Sequence, residues 1–165
     1  MPKLEVFFDY ACPYCLQGHE YLLELLPQYP QIEIVWRPCE AHPRPDRYGP
    51  HSDLCARGMY FAAEHDADLI EYHDRMYRAA LKSHADIEDL RIVSKLTGGL
   101  LDSDAFYAAL SGGSYLDRLS ENNRLAWETY RFPAVPSCRM NGKLLKSIEN
   151  IGVSKQQLVA FMAIT

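Results

Sequence analysis

The sequence predicts an α/β fold in which a β-α-β unit and a later β-hairpin complete one sheet, with a long helical block between them. Three observations carry this. Two short runs of alternating apolar residues, around Leu4–Phe8 and Ile32–Trp36, are separated by a helical pattern. From about Ser52 to Tyr130 no strand pattern emerges, and paired glycines divide the stretch into helices. Finally, Asn141-Gly142 stands between two short strand-like runs as a two-residue turn.

Taken in order, Leu4, Val6 and Phe8 alternate with Glu5, Phe7 and Asp9, the period of a strand. Pro13 suits the first turn of the helix that follows, where its missing N–H is not needed. That helix runs through Leu16 to Leu26 and ends near Pro27. Ile32, Ile34 and Trp36 form a second strand that stops at Pro38. Two strands joined through a helix imply a right-handed crossover with parallel strands. Residues 41–51, with three prolines and a glycine, read as loop. Four or five helices follow. Asp86 and Asp102 are the expected N-caps, and Gly98-Gly99 and Gly112-Gly113 the expected stops. Ser137–Met140 and Leu144–Ile148 are the hairpin strands. Ser154 with Gln157 forms a capping box, and Val153 with Leu158 a hydrophobic staple, for a last helix docked by Leu158, Phe161 and Met162.

The 165 residues suffice for one domain with a sizeable core. A formal charge of −5 argues against a nucleic-acid partner, since phosphate binding needs a basic surface. No apolar run is long enough for a membrane span. With Met1 as the start and a strand beginning almost at once, no signal peptide is expected, which makes the expected compartment cytoplasmic. Five cysteines, an odd number, fit a reducing compartment with one working pair better than a disulfide scaffold.

That pair is Cys12-Pro13-Tyr14-Cys15, placed where a strand hands over to a helix. The nucleophile of disulfide exchange is the thiolate, and a free cysteine with pKa about 8.5 is only a few per cent ionised at neutral pH. Backbone N–H groups and the dipole at a helix N-terminus favour the anion. Cys12 lies at that end and should be exposed. Cys15, one turn in, should be more buried. The expected roles are attack by Cys12 and resolution by Cys15. A lone C-x-x-C is also half a zinc site. Two more ligands would then be needed. The other cysteines, at 39, 55 and 138, are isolated, and the six histidines show no paired spacing beyond His51 with Cys55.

These residues resemble the DsbA-like branch of the thioredoxin superfamily, and within it the FrnE-like cytoplasmic oxidoreductases. The likeness runs from Phe8-Asp9 and the cysteine motif through Gly18 and Trp36-Arg37-Pro38-Cys39-Glu40 with Pro43. It continues in the helical block, Val135-Pro136-Ser137 and Asn141-Gly142-Lys143. It implies a thioredoxin-like fold with a helical domain inserted between the two halves of the sheet: residues 1–50 and 131–165 against an insert at 51–130. It also implies Cys12 as nucleophile, Cys15 as resolving thiol and Pro136 as a cis-proline. Pro13, Tyr14, Val135 and Pro136 would contact substrate. The chain departs from the family pattern at Cys39, Ala134 and Cys138. The buried carboxylate that thioredoxins carry six residues before the first cysteine is here Val6.

The resemblance implies a thiol–disulfide oxidoreductase acting on protein or small-molecule substrates. A cellular thiol reductant would partner it, with no metal, no resident cofactor and glutathione as a candidate co-substrate. Known members of this chemistry run from about −270 to −120 mV, and Pro-Tyr between the cysteines, the glutaredoxin dipeptide, points to the middle of that range. Two alternatives stand beside this. One is a glutathione-dependent isomerase or transferase of the 2-hydroxychromene-2-carboxylate isomerase (kappa-class) type, where serine typically stands in place of Cys12. The other is a non-enzymatic redox-sensing binding module. Cys39, Cys55 and Cys138 read as buried core residues, and His19 as a partly exposed helix residue. Asp9 reads as a loop anchor or helix cap rather than a proton-transfer group. Tyr60, Phe61, Tyr72, Tyr77, Phe106 and Tyr107 are expected to pack the helical block.

Overall fold

A computed structural model describes residues 1–163. The strands are β1 (Lys3–Phe8), β2 (Glu33–Pro38), β3 (Ser137–Met140) and β4 (Lys143–Leu145). They form one sheet in the order β2-β1-β3-β4. β1 pairs parallel to β2, while β1–β3 and β3–β4 are antiparallel. β1 is thus an interior strand, and every residue from Leu4 to Phe8 is buried. Its one charged side chain in that run, Glu5, is matched by Arg37 and Arg139 at 2.9 and 2.8 Å.

Helix α1 (Pro13–Leu25) leads from β1 towards β2, closing in a 3-10 turn at Leu26–Gln28. Between β2 and β3 lie α2 (Asp53–Glu64), α3 (Leu69–Leu81), α4 (Leu90–Leu96), α5 (Ser103–Ser111) and α6 (Leu116–Asn123). The last continues into a π-helical turn at Arg124–Thr129. Asp102 caps α5 as expected, accepting from the Asp104 and Ala105 N–H groups. Asp86 does not cap a helix: it accepts from the Glu88 N–H in a turn, and Asp89, three residues on, caps α4. Each aspartate accepts from the N–H two residues later, and only the second is followed by a continuous helix.

The hairpin turn at Asn141-Gly142 holds both residues at positive φ, 52° and 77°, the geometry that joins twisted strands without splaying them. β4 is shorter than expected. It ends at Leu145, and Ile148 instead bridges to Gly152. The Ser137 hydroxyl accepts from the Ser147 N–H and so draws the chain off the ladder. Helix α7 (Lys155–Met162) begins with the expected Ser154–Gln157 capping box.

One core runs through the sheet and the helical block together. Phe8 and Tyr10, at the end of β1, meet Tyr77 of α3 at ring separations of 6.1 and 5.2 Å. Phe61, Tyr72, Tyr77 and Phe106 are buried as expected, whereas Tyr107 is exposed and Tyr60 only half-buried. Gly58 of α2 is required by this packing. A Cβ there would lie 2.3 Å from the Tyr72 hydroxyl and 2.5 Å from the Phe106 ring. No helix among the described residues is long and apolar enough to cross a membrane.

Candidate active site

Cys12 is the N-cap of α1, with extended backbone (φ −100°, ψ 117°) and Pro13 in the first helical turn. Its position between strand and helix leaves the Tyr14 and Cys15 N–H groups facing the sulfur. All five cysteines are free, so the site is in its dithiol form. The Cys12 thiol is lowered from its ordinary value, chiefly by hydrogen bonding from the Cys15 side chain and then by those backbone N–H groups; partial burial and the Asp9 charge work against it. The Cys12 thiol also donates to the Val135 carbonyl at 3.7 Å, a contact that favours the protonated form. The donors to sulfur outweigh it.

Cys15 is fully buried, and its thiol is pushed well above the ordinary range by desolvation, with the hydrogen bond to Cys12 adding to it. Its sulfur accepts from the Asp9 backbone N–H at 3.4 Å. The two thiols therefore differ in the sense that exchange requires: the outer sulfur is the easier to ionise, the inner one is held as a thiol. Cys12 is half-buried rather than exposed, because the segment before β3 stands over it.

That segment carries Val135 and Pro136, joined by a cis peptide bond. Pro136 rests on α1 where Gly18 leaves room: a Cβ at Gly18 would lie 2.9 Å from the Pro136 Cγ. Tyr14 packs on the opposite side against Gly152, whose φ of 83° and 3.1 Å clearance leave space only for a residue without a Cβ. Cys12, Pro13, Tyr14 and Val135 all line one open cleft of about 440 Å³; Pro136 lies behind it, with Cys15 and Cys138, around a small apolar gap.

Asp9 is buried beneath the pair and joins three chain segments. Its carboxylate accepts from the Ala11 N–H (2.8 Å), the Ala41 N–H (2.9 Å) and the Ser52 hydroxyl (2.6 Å). Burial raises its pKa against the lowering effect of those donors. It is an anchor, as the sequence suggested, and its charge also reaches both thiols. A second buried carboxyl, Glu40, is held by Asn123 on α6, and Trp127 donates to the Glu40 carbonyl. Sequence reasoning did not single out Trp127 or the 48–52 segment, which wall the cleft. No local pattern marks them, since they come into place only when the helical block docks.

His19 departs from expectation. It is buried, packed among Trp36, His73 and Tyr77 at ring separations of 5.7, 5.4 and 5.3 Å. Desolvation pulls it down to about 4, with Asp74 opposing. His73 is buried as well and held neutral, with the Tyr10 hydroxyl 2.8 Å from its Nδ1. Cys39, Cys55 and Cys138 are buried core thiols, Cys138 pushed up to about 12 by desolvation. Among the described residues no three His, Cys, Asp or Glu side chains gather as for a metal ion.

A four-stranded mixed sheet, a cysteine pair opening α1 and a cis X-Pro bond standing over the outer sulfur define a thioredoxin-like protein with an inserted helical block. Residues 3–159 match the DSBA-like thioredoxin domain, and the chain belongs to that family. Among its relatives is a Bacillus subtilis protein named YwbO, itself uncharacterized. It is 25% identical over 170 residues, covering 81% of this chain and 84% of that one. Among solved structures, a probable DsbA oxidoreductase from Streptomyces coelicolor superposes with a TM-score of 0.82 at 16% identity. It covers 99% of this chain and 89% of its own. The oxidoreductase DsbA from Xylella fastidiosa gives 0.73 at 17% identity, covering 99% and 84%. At these identities the structural likeness speaks to the fold.

Proposed function

We propose that the protein is a FrnE-like thiol–disulfide oxidoreductase that works through a mixed disulfide at Cys12. The observation that carries this is the asymmetry of the pair: a half-buried Cys12 with its thiol pKa lowered, open to a cleft, and a buried Cys15 held as a thiol one helical turn inside. Cys12 as thiolate attacks one sulfur of a disulfide substrate. The substrate S–S bond breaks, and the leaving thiolate takes a proton. Cys15 then loses its proton and attacks the Cys12 sulfur, releasing the second substrate thiol. The protein dithiol has become a disulfide and the substrate disulfide two thiols. The reverse sequence oxidises a dithiol substrate.

Pro13, Tyr14 and Val135 lie where a substrate would approach, and Pro136 seats that segment on α1. On this reading residues 1–50 and 131–165 carry the chemistry, and the insert at 51–130 supplies a wall of the cleft through Ser52 and Trp127. Substrates are protein or small-molecule disulfides and thiols, and a cellular thiol reductant returns the pair to its dithiol form in the cytoplasm. Retention of both cysteines favours exchange over the glutathione-dependent isomerase or transferase reading, and a formed cleft at the thiol favours a catalyst over a passive sensor.

The test is trapping. Cys15→Ser should accumulate mixed disulfides on Cys12, and Cys12→Ser should abolish reduction of insulin. Wild-type turnover in Cys12→Ser, or adducts on Cys138 instead, would refute the mechanism. The reduction potential of the pair sets the direction: near −270 mV a reductant, near −120 mV an oxidant, a span of roughly 7 kcal/mol.

A further inference from the structure

We infer that the cleft selects disulfide substrates by charge: it takes cationic and neutral ones and disfavours anionic ones such as glutathione disulfide, with Glu149 as the specificity-determining side chain at its mouth. This rests on the exchange reading above and adds a substrate class to it.

No lysine or arginine occurs among the described residues that line the cleft. Its acidic and basic side chains are Asp9, His42, His51 and Glu149. Both histidines face carboxylates of their own: His42 Nδ1 lies 3.1 Å from Asp46, and His51 Nδ1 3.0 Å from Glu88. The other nitrogen of His51 is 2.6 Å from the Asp46 carbonyl. Arg44, on the same segment, is held by Asp53 and Glu88 at 3.3 and 3.1 Å. Each histidine of the lining, and Arg44 beside them, is therefore matched before a substrate arrives; Arg47, exposed on the same segment, makes no ion pair among the described residues but lies outside the lining. Glu149 is exposed and makes no ion pair among the described residues. The attacking thiolate of Cys12 adds a further negative charge to the site.

A glutathionyl group carries two carboxylates and one ammonium, about one net negative charge at neutral pH. The cleft offers its carboxylates no free cation, so glutathione does not fit it electrostatically. A substrate whose cysteine is flanked by amines or by uncharged groups meets no such penalty. In water, a pair of unit charges about 10 Å apart changes a rate by roughly twofold. A symmetric disulfide carries two charges, so cationic and anionic disulfides should differ by about tenfold at low ionic strength.

The experiment measures single-turnover oxidation of the reduced full-length protein by three symmetric disulfides: cystamine (cationic), hydroxyethyl disulfide (neutral) and glutathione disulfide (anionic). Each rate is divided by that of dithiothreitol with the same disulfide, which cancels intrinsic reactivity. The expected order is cationic, neutral, anionic, with the spread closing in high salt as the charges are screened. Glu149→Gln should remove most of that roughly tenfold cationic-to-anionic ratio. Equal normalised rates, or a ratio untouched by Glu149→Gln, would overturn charge selection while leaving exchange intact. No reaction with any of the three, the neutral one included, would overturn the exchange reading and this inference with it.

Discussion

His19 and His73 sit uncharged in the core, so acid should destabilise this protein through them. His19 has an ordinary value of 6.5 in the unfolded chain and about 4 in the folded one. A group whose folded pKa is depressed contributes stability above its unfolded value and loses it as pH falls towards the folded value. Between pH 7 and pH 5 the unfolded chain gains most of a proton at His19 and the folded chain almost none. Integrating the difference gives a loss of about 2 kcal/mol from His19 alone. His73 is shifted in the same direction and adds to it. Asp9 and Glu40 act in the opposite sense. Their raised values contribute stability below about 3.8 and 4.5 that is lost as pH rises through the folded pKa. The informative quantity is therefore a difference. Urea unfolding at pH 7 and pH 5 should show wild type losing about 2 kcal/mol more than His19→Leu over that interval. An equal loss in the two proteins, or an NMR titration of His19 centred near 6.5, would refute the burial argument.

Two further outcomes concern the pair and its support. Alkylation of Cys12 at neutral pH should be slower in Cys15→Ala than in Cys15→Ser, because only serine keeps a donor to the sulfur; equal rates would remove Cys15 as the main cause of the lowered thiol. Gly18→Ala should gain about 1 kcal/mol of helix propensity and lose about 1–3 to the 2.9 Å approach to Pro136, leaving a less stable protein with slower exchange, measured by urea unfolding and insulin reduction; a clear stabilisation with unchanged turnover would contradict it.

What the sequence disclosed was what neighbouring residues decide. Pro13 opening α1, Asn141-Gly142 in the hairpin and the Ser154–Gln157 box each act within a few positions, and each stands where the pattern put it. The motif Cys12-Pro13-Tyr14-Cys15 belongs to the same kind, which is why the order of burial of its two sulfurs could be read in advance. Burial imposed from afar could not. His19 looks like a helix surface residue until α3, more than fifty positions later, brings His73 and Tyr77 against it. Cys12 looks exposed until Val135 arrives over it. Asp86 and Asp89 present the same local signal, and which one starts a helix is settled by the chain that follows.

The Asp9 carboxylate ties residues 11, 41 and 52 to one point, and the Cys12 sulfur meets a distant part of the chain at Val135. These contacts span separations from two residues to 123. On the ribosome, Cys12 emerges 123 residues before the Val135 backbone that covers it. Until then the pair has no cover from Val135, and the long loops are still to be closed at an entropic cost. The covered, asymmetric setting of Cys12 is a property that the nascent chain acquires late, when Asp9 has gathered its donors and the region around Pro136 has settled onto Gly18.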